Sequence, residues 1–350
     1  MTLLDRIAVP VPIIQAPMAG TSTPEMAAAV SNAGALGSIA VGATDAAGAR
    51  AMIDAVRART DRAFNVNLFV HAPPRREPAR ERAWVDALAP LFAEQGAIPP
   101  AELREIYTSF AEDDAMLRLL IDQAPPVVSF HFGLPSADRI AALKAVGCLL
   151  LATATSLAEA EEVRKAGIDA VVAQGWEAGG HRGMFDPDAR DDRLGTVALT
   201  RLLVAKSGLP VIAAGGIMDG ASVRAMLDLG AVAAQLGTAF IACPESSADQ
   251  WHRAALASEA ADHTVMTRAI SGRPARCLAN RFTAWGEANE GAAPDYPVAY
   301  DAGKALNAAA KARGDGGYGA QWAGQGAPLA RSMPAADLVA RLAAEAGFDR

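Results

Sequence analysis

The sequence predicts a (β/α)₈ barrel with an inserted helical segment and a C-terminal helical cap. Short apolar or β-branched runs, each followed by a turn and an amphipathic Ala-rich segment, recur through the first two thirds of the chain, which is the alternation of parallel strands joined by helices. About eight such units are present, a number that points to a closed barrel rather than an open sheet. Of the 350 residues, 51% are hydrophobic and 20% charged, enough apolar surface for one large core.

Taken in order, the candidate strands span residues 13–18, 36–41, 64–69, 127–132, 148–154, 170–174, 210–215 and 231–236. The helices between them carry start and stop signals. Thr23 can cap a helix with Pro24 at its first position, Glu25 in its first turn and Gly34 past its end. Ser156 and Glu159 form an S-x-x-E capping pattern closed by Gly167, and Asp219 precedes a segment ending at Gly230. Two stretches exceed a minimal barrel. Residues 71–126 carry Pro-punctuated pieces read as helical, ERAWVDALAPLFAEQG and PAELREIY; residues from about 265 to 350 contain SGRPARCLANRF, PDYPVAYDAGKALNAAAKARG and YGAQWAGQGAPLA. Both are expected to cover the barrel mouth, and residues 1–350 read as a single domain.

A formal net charge of −7 disfavours nucleic acid, which is held by clustered Lys and Arg. The first residues show no basic stretch followed by an apolar core, and no apolar run reaches membrane-spanning length, so a cytoplasmic protein with no membrane partner is expected. Cys148, Cys243 and Cys277 are too scattered for a disulfide framework or a zinc site.

Parallel barrels carry their chemistry at the carboxyl ends of the strands. Strand one runs into Gln15-Ala16-Pro17-Met18. Strand three holds Asn67 and strand four His131, and strand six leads into AQGWEAGGHRG with Gln174, Gly179, Gly180 and His181. After strands seven and eight come AAGGI, with Gly215 and Gly216, and QLGTAF, with Gln235, Leu236, Gly237 and Thr238. Glycines there expose backbone N–H groups, and a following helix start would add a positive dipole end, which makes a phosphate site where barrels often place one. Buried amides such as Asn67 and Gln174 must find partners, and a flavin ring edge would supply them. His131 and His181 stand at two separate strand ends without a third ligand at metal spacing, so they serve acid–base or anion-orienting chemistry and no metal is expected. Tyr296, Tyr300 and Lys304 are spaced four apart, one helix face if that segment is helical. With Tyr107 of the insertion they are candidate lid residues.

The set QAPM-AG, FNVNLF, SFHFG, AQG-x-EAGGHRG, AAGGI, QLGTAF and DYP-x-x-YD-x-x-K resembles the bacterial nitronate monooxygenases of the class I type, formerly called nitropropane dioxygenases. The match runs from about residue 10 to residue 330. The resemblance implies noncovalent FMN and oxidation of alkyl nitronates such as propionate 3-nitronate by dioxygen, with release of a carbonyl compound and nitrite. It assigns FMN contacts to Asn67, Gln174, Gly179, Gly216, Gln235, Leu236 (through its backbone), Gly237 and Thr238, with Met18 packing by the flavin ring. His181 corresponds to a proposed catalytic base and His131 lies in a motif of the bacterial subgroup; the sequence leaves open which is catalytic. The physiological nitronate and the choice between monomer and homodimer are equally open. Two other readings compete: an FMN barrel that uses NAD(P)H to reduce a quinone or enoyl thioester, and a flavin-free barrel that senses a phosphorylated metabolite. The chain lacks a G-x-G-x-x-G fingerprint after a strand, which weighs against the first.

Overall fold

The computed structural model describes residues 2–348; residues 1, 349 and 350, the last two within the expected tail cap, lie outside the described residues. Among the described residues eleven strands are present, in chain order: β1 (Ile13–Gln15), β2 (Gly37–Ala40), β3 (Phe64–Phe69), β4 (Val127–His131), β5 (Leu149–Ala154), β6 (Ala170–Gln174), β7 (Gly180–His181), β8 (Val211–Ala214), β9 (Ala233–Leu236), β10 (Thr264–Thr267) and β11 (Ala275–Leu278). Eight of them form one parallel sheet in the order β1-β9-β8-β6-β5-β4-β3-β2. A parallel bridge from Ile14 to Leu36 joins its two edges, so the sheet is a barrel with helices between its strands.

Strand parity decides what faces inward. A strand turns alternate side chains to opposite faces. In β3, Val66 and Leu68 pack outward under the helices, as do Val128 and Phe130 in β4 and Leu150 and Ala152 in β5. Asn65 and Asn67, Ser129 and His131, Thr153, and Gln174 therefore point into the barrel, and the polar ones nearest the strand ends border the mouth.

The caps behave as local chemistry requires. Thr23 accepts from Met26 N at 3.0 Å, and Asp219 and Ser222 form a reciprocal capping box. Ser156 accepts from Glu159 N at 3.2 Å, but the Glu159 carboxylate does not return to Ser156. It accepts from Thr155 N and Oγ1 and from Phe185 N instead.

The segment 71–126 divides. Helix Pro78–Glu94 joins helix Val298–Ala312 in an apolar layer of Trp84, Leu88, Phe92, Ile270, Phe282, Leu306 and Tyr318. Helix Asp114–Gln123 instead packs between helices Ala46–Arg57 and Ala137–Ala145, as the crossover from β3 to β4. PAELREIY, expected helical, is irregular. Side chains satisfy its backbone: Asp301 accepts from Arg104 N at 2.9 Å, and Arg76 donates to the Leu103 carbonyl at 2.9 Å. The tail also divides, since helix Ala335–Glu345 packs outside the barrel against helices Pro24–Asn32 and Gly220–Asp228 and fills the eighth helix position. Strands β10, β11 and β7 form a second, antiparallel sheet in which Ala275 pairs with His181 and Arg276 with Gly180. Among the described residues no helix is long and apolar enough to cross a membrane.

Candidate active site

A cavity of about 890 Å³ opens at the carboxyl ends of the barrel strands, within the ~300–1,000 Å³ usual for small-molecule sites. Its wall contains Met18, Asn67, Tyr107, His131, Gln174, Gly179, Gly180, His181, Gly215, Gly216, Gln235, Gly237, Thr238, Tyr296, Tyr300 and Lys304. Of the residues singled out from the sequence, Leu236 is absent from this wall. It is 1% exposed and packs outward with Ile13, Ala234 and Phe240, and its carbonyl accepts from Ala16 N at 2.8 Å. Outward parity on β9 is the cause.

At one end of the cavity stand the glycine turns after β8 and β9. Gly215 and Gly216 adopt φ of 125° and 69°, conformations that side chains oppose. The helix that follows them does not turn a free positive end to the cavity, contrary to expectation. Asp219 caps it through Ser222 N at 2.8 Å, and Glu345 accepts from Gly220 N at 3.0 Å, so two carboxylates occupy that terminus. The tail closes over this end. Gly324 N donates to Thr238 Oγ1 and Gln325 N to the Glu177 carbonyl, each at 2.9 Å. A Cβ at Gly179 would stand 2.4 Å from Gly324 N, so only glycine permits this crossing.

At the other end, rings surround His181. Its ring centroid lies 5.0 Å from Trp322, 5.2 Å from Tyr296, 5.5 Å from Phe132 and 6.1 Å from Tyr300. Lys304 Nζ sits 4.8 Å from the Tyr107 ring centroid and 5.3 Å from that of Tyr300. The helical-face expectation holds for Tyr300 and Lys304; Tyr296 precedes the first turn of Val298–Ala312 and reaches the same cavity from the loop. Its hydroxyl is buried without a partner.

The two histidines differ in what remains free. His131 Nε2 lies 3.2 Å from the His181 carbonyl and Nδ1 3.0 Å from Thr153 Oγ1. A carbonyl only accepts, so Nε2 carries the proton and Nδ1 accepts from Thr153. Burial lowers the His131 pKa to about 4, which leaves it neutral with both nitrogens engaged. His181 Nε2 pairs with Ser271 Oγ at 2.9 Å, while Nδ1 has no protein hydrogen-bond partner among the described residues. Burial, then the neighbouring His131, Arg273 and His71, hold His181 well below the usual imidazole range.

Gln174 does not await a ligand for its amide. Its Nε2 donates to the His181 carbonyl at 2.9 Å and its Oε1 accepts from Gly183 N at 2.7 Å, so it fixes the segment that bears His181. Asn67 Nδ2 donates to Ser129 Oγ at 2.9 Å, which turns the other end of its amide to the cavity. Sequence reasoning did not single out Thr153, Ser271, Trp322, His71 or His252. His71 lies buried with its ring centroid 5.1 Å from that of Tyr296, and His252 lines the cavity. No spacing signal connects these residues; the barrel and the tail bring them together.

A family model described as nitronate monooxygenase matches residues 1–345. The chain is similar to the nitronate monooxygenase of Paraburkholderia phytofirmans, 62% identical over 344 residues covering 98% of this chain and 94% of that protein. It is 57% identical to the nitronate monooxygenase of Pseudomonas aeruginosa, covering 95% of each. Among solved structures, nitroalkane oxidase from Streptomyces ansochromogenes superposes with a TM-score of 0.88 at 42% identity, covering 98% of this chain and 97% of that one.

Proposed function

Because the chain belongs to the nitronate monooxygenase family, we propose that it binds FMN noncovalently and oxidises alkyl nitronates, propionate 3-nitronate among them, with dioxygen to a carbonyl compound and nitrite. The observation that carries this is one cavity joining the glycine turns after β8 and β9 to the ring-lined pocket around His181.

The residues at the glycine end fit a flavin. A Cβ at Gly180 would meet nothing within 4 Å, and one at Gly237 would meet only Ala16 Cβ at 3.5 Å and Met18 Sδ at 3.6 Å, so the backbone itself borders open space. Gly215, Gly216, Gly237 and Thr238 would hold the phosphate through N–H groups. The Thr238 hydroxyl already accepts from Gly324 N, which leaves its hydrogen to donate to a phosphate oxygen. Asn67, Gly179, Gln235 and the Met18 side chain border the space for the ring. Leu236 supports this end by packing alone, and Gln174 acts by orienting His181. When bound, FMN supplies the electron acceptor and the reactivity toward dioxygen that amino-acid side chains lack.

The protein's own part at the ring-lined end is to hold an anion. A nitronate has already lost its proton, so no base is required before it gives up an electron. It needs hydrogen-bond donors and positive charge in a dry site. Tyr296 offers an uncommitted hydroxyl, and Lys304 an ammonium held over the Tyr107 and Tyr300 rings. While Ser271 Oγ donates to the Arg273 carbonyl at 3.3 Å it accepts from His181 Nε2 and leaves Nδ1 a proton acceptor for a neutral nitroalkane; turned to His181 instead, it leaves Nδ1 a donor to the anion. His181 is the catalytic histidine; His131, with both nitrogens bonded to protein, positions it.

The protein loaded with FMN should consume dioxygen with an alkyl nitronate and require no NADH. His181→Asn should keep FMN and lose turnover. No dioxygen uptake with any nitronate would remove this assignment, and rapid anaerobic bleaching of the flavin by NADH would favour the reductase one.

A further inference from the structure

Arg273 is 2% exposed and, among the described residues, pairs with no carboxylate. Its Nη2 donates to the Met184 carbonyl and its Nε has no partner. The guanidinium carbon stands 4.2 Å from the centroid of the Phe132 ring. That ring lies 4.5 Å from the His131 ring and 5.5 Å from the His181 ring, and Phe132 holds a φ of 79°, an unfavourable conformation for a bulky residue. Burying a charge without a counter-ion is costly, so a guanidinium kept there by a strained residue calls for a function.

The groups facing it agree in sign. His71, His131 and His181 are all neutral, their pKa values lowered first by burial and also by Arg273. Glu159 attracts it and Arg268 repels it, with Asp186 a smaller attraction, while burial keeps Tyr296 a neutral phenol. The Glu159 carboxylate is committed to Thr155 and Phe185. In the cavity wall, Lys311 is matched by Asp249, which leaves exposed Lys304 as the other cation without an ion pair among the described residues.

We propose that Arg273 is an electrostatic positioning residue: a permanent buried charge behind Phe132 that makes the pocket select the anionic nitronate over the neutral nitroalkane without touching either. The proposal rests on the nitronate reading above, and its test is a binding measurement separate from turnover. Propionate and nitroethane have nearly the same shape and electron count and differ by one negative charge. Calorimetric Kd values for the two on FMN-loaded protein give a preference for the anion. Arg273→Gln should reduce that preference by about 10- to 100-fold, as loss of a unit charge in a low-dielectric site would, and Arg273→Lys should restore most of it. Where the Gln variant fails to fold, the intact protein decides. A buried charge is poorly screened, so the preference should change by less than about threefold between low and high salt. No preference in the intact protein, an unchanged preference in Arg273→Gln, or a tenfold fall with salt matched by Lys304→Gln would overturn the proposal. Absence of nitronate turnover with the anion preference intact would sink the functional assignment and leave the charge.

Discussion

Gly179→Ala tests how the tail seals the glycine end of the cavity. The added Cβ would lie 2.4 Å from Gly324 N, 2.5 Å from Ala323 C and 2.8 Å from Ala323 Cα, all backbone atoms with no rotamer to change. Ordinary contact begins near 3.4 Å, so the tail must retreat by about 1 Å, which takes Gly324 N out of hydrogen-bond range of Thr238 Oγ1, now at 2.9 Å. A buried donor left without a partner costs about 1–3 kcal/mol, and Thr238 loses the contact that orients its hydroxyl. FMN affinity should therefore fall by about 10- to 100-fold, at 1.4 kcal/mol per decade. Fluorescence titration of FMN into the flavin-free protein measures this. Gly147→Ala is the control: it strains a turn at φ 89° but its Cβ meets nothing within 4 Å, so it should lower stability and leave FMN affinity alone. Equal Kd values for Gly179→Ala and the parent protein would show that the crossing is not part of the flavin site.

Tyr296→Phe removes a buried hydroxyl that has no protein partner; it should raise Tm while lowering kcat/KM for nitronates by about tenfold or more, and a lowered Tm would contradict the orphaned state of that group. Thr153→Val deprives His131 Nδ1 of its donor and should cost about 1–3 kcal/mol in a denaturant melt; a variant as stable as the parent would undo the tautomer assignment. His71, His131 and His252 have pKa values lowered to about 4, chiefly by burial, against about 6.5 when unfolded. The unfolded chain binds more protons between these values, so stability should be full above pH 6.5 and decline by a few kcal/mol per histidine as pH falls toward 4. Melts that are flat across that window would refute the buried, neutral state.

The strands were legible because short apolar or β-branched runs bounded by turn residues mark buried parallel strands, and the observed bounds fall within three residues of those expected. The glycine turns were legible for the same local reason. What escaped depends on partners distant in sequence. Gly180 and His181 make a strand only because Arg276 and Ala275 pair with them, and a strand of that length carries no pattern. PAELREIY has helix-forming residues, but Asp301 and Arg76 offer its backbone better-placed partners than a helix would. Leu236 was expected to meet the flavin through its backbone, but its carbonyl is taken by Ala16 N across the β1–β9 pairing and it does not border the cavity. Gln174 was expected to need a flavin, and its needs are met by His181 and Gly183. Arg273 resembles any arginine of a polar loop until the fold buries it.

Residues 322–326 reach back to Glu177, Gly179 and Thr238, so the seal over the glycine turns is supplied after every barrel strand has been made. A chain emerging from the ribosome can assemble its cylinder before that seal exists. Stable retention of the cofactor must then wait for the emergence of residue 326, and the eighth outer helix, Ala335–Glu345, follows later still.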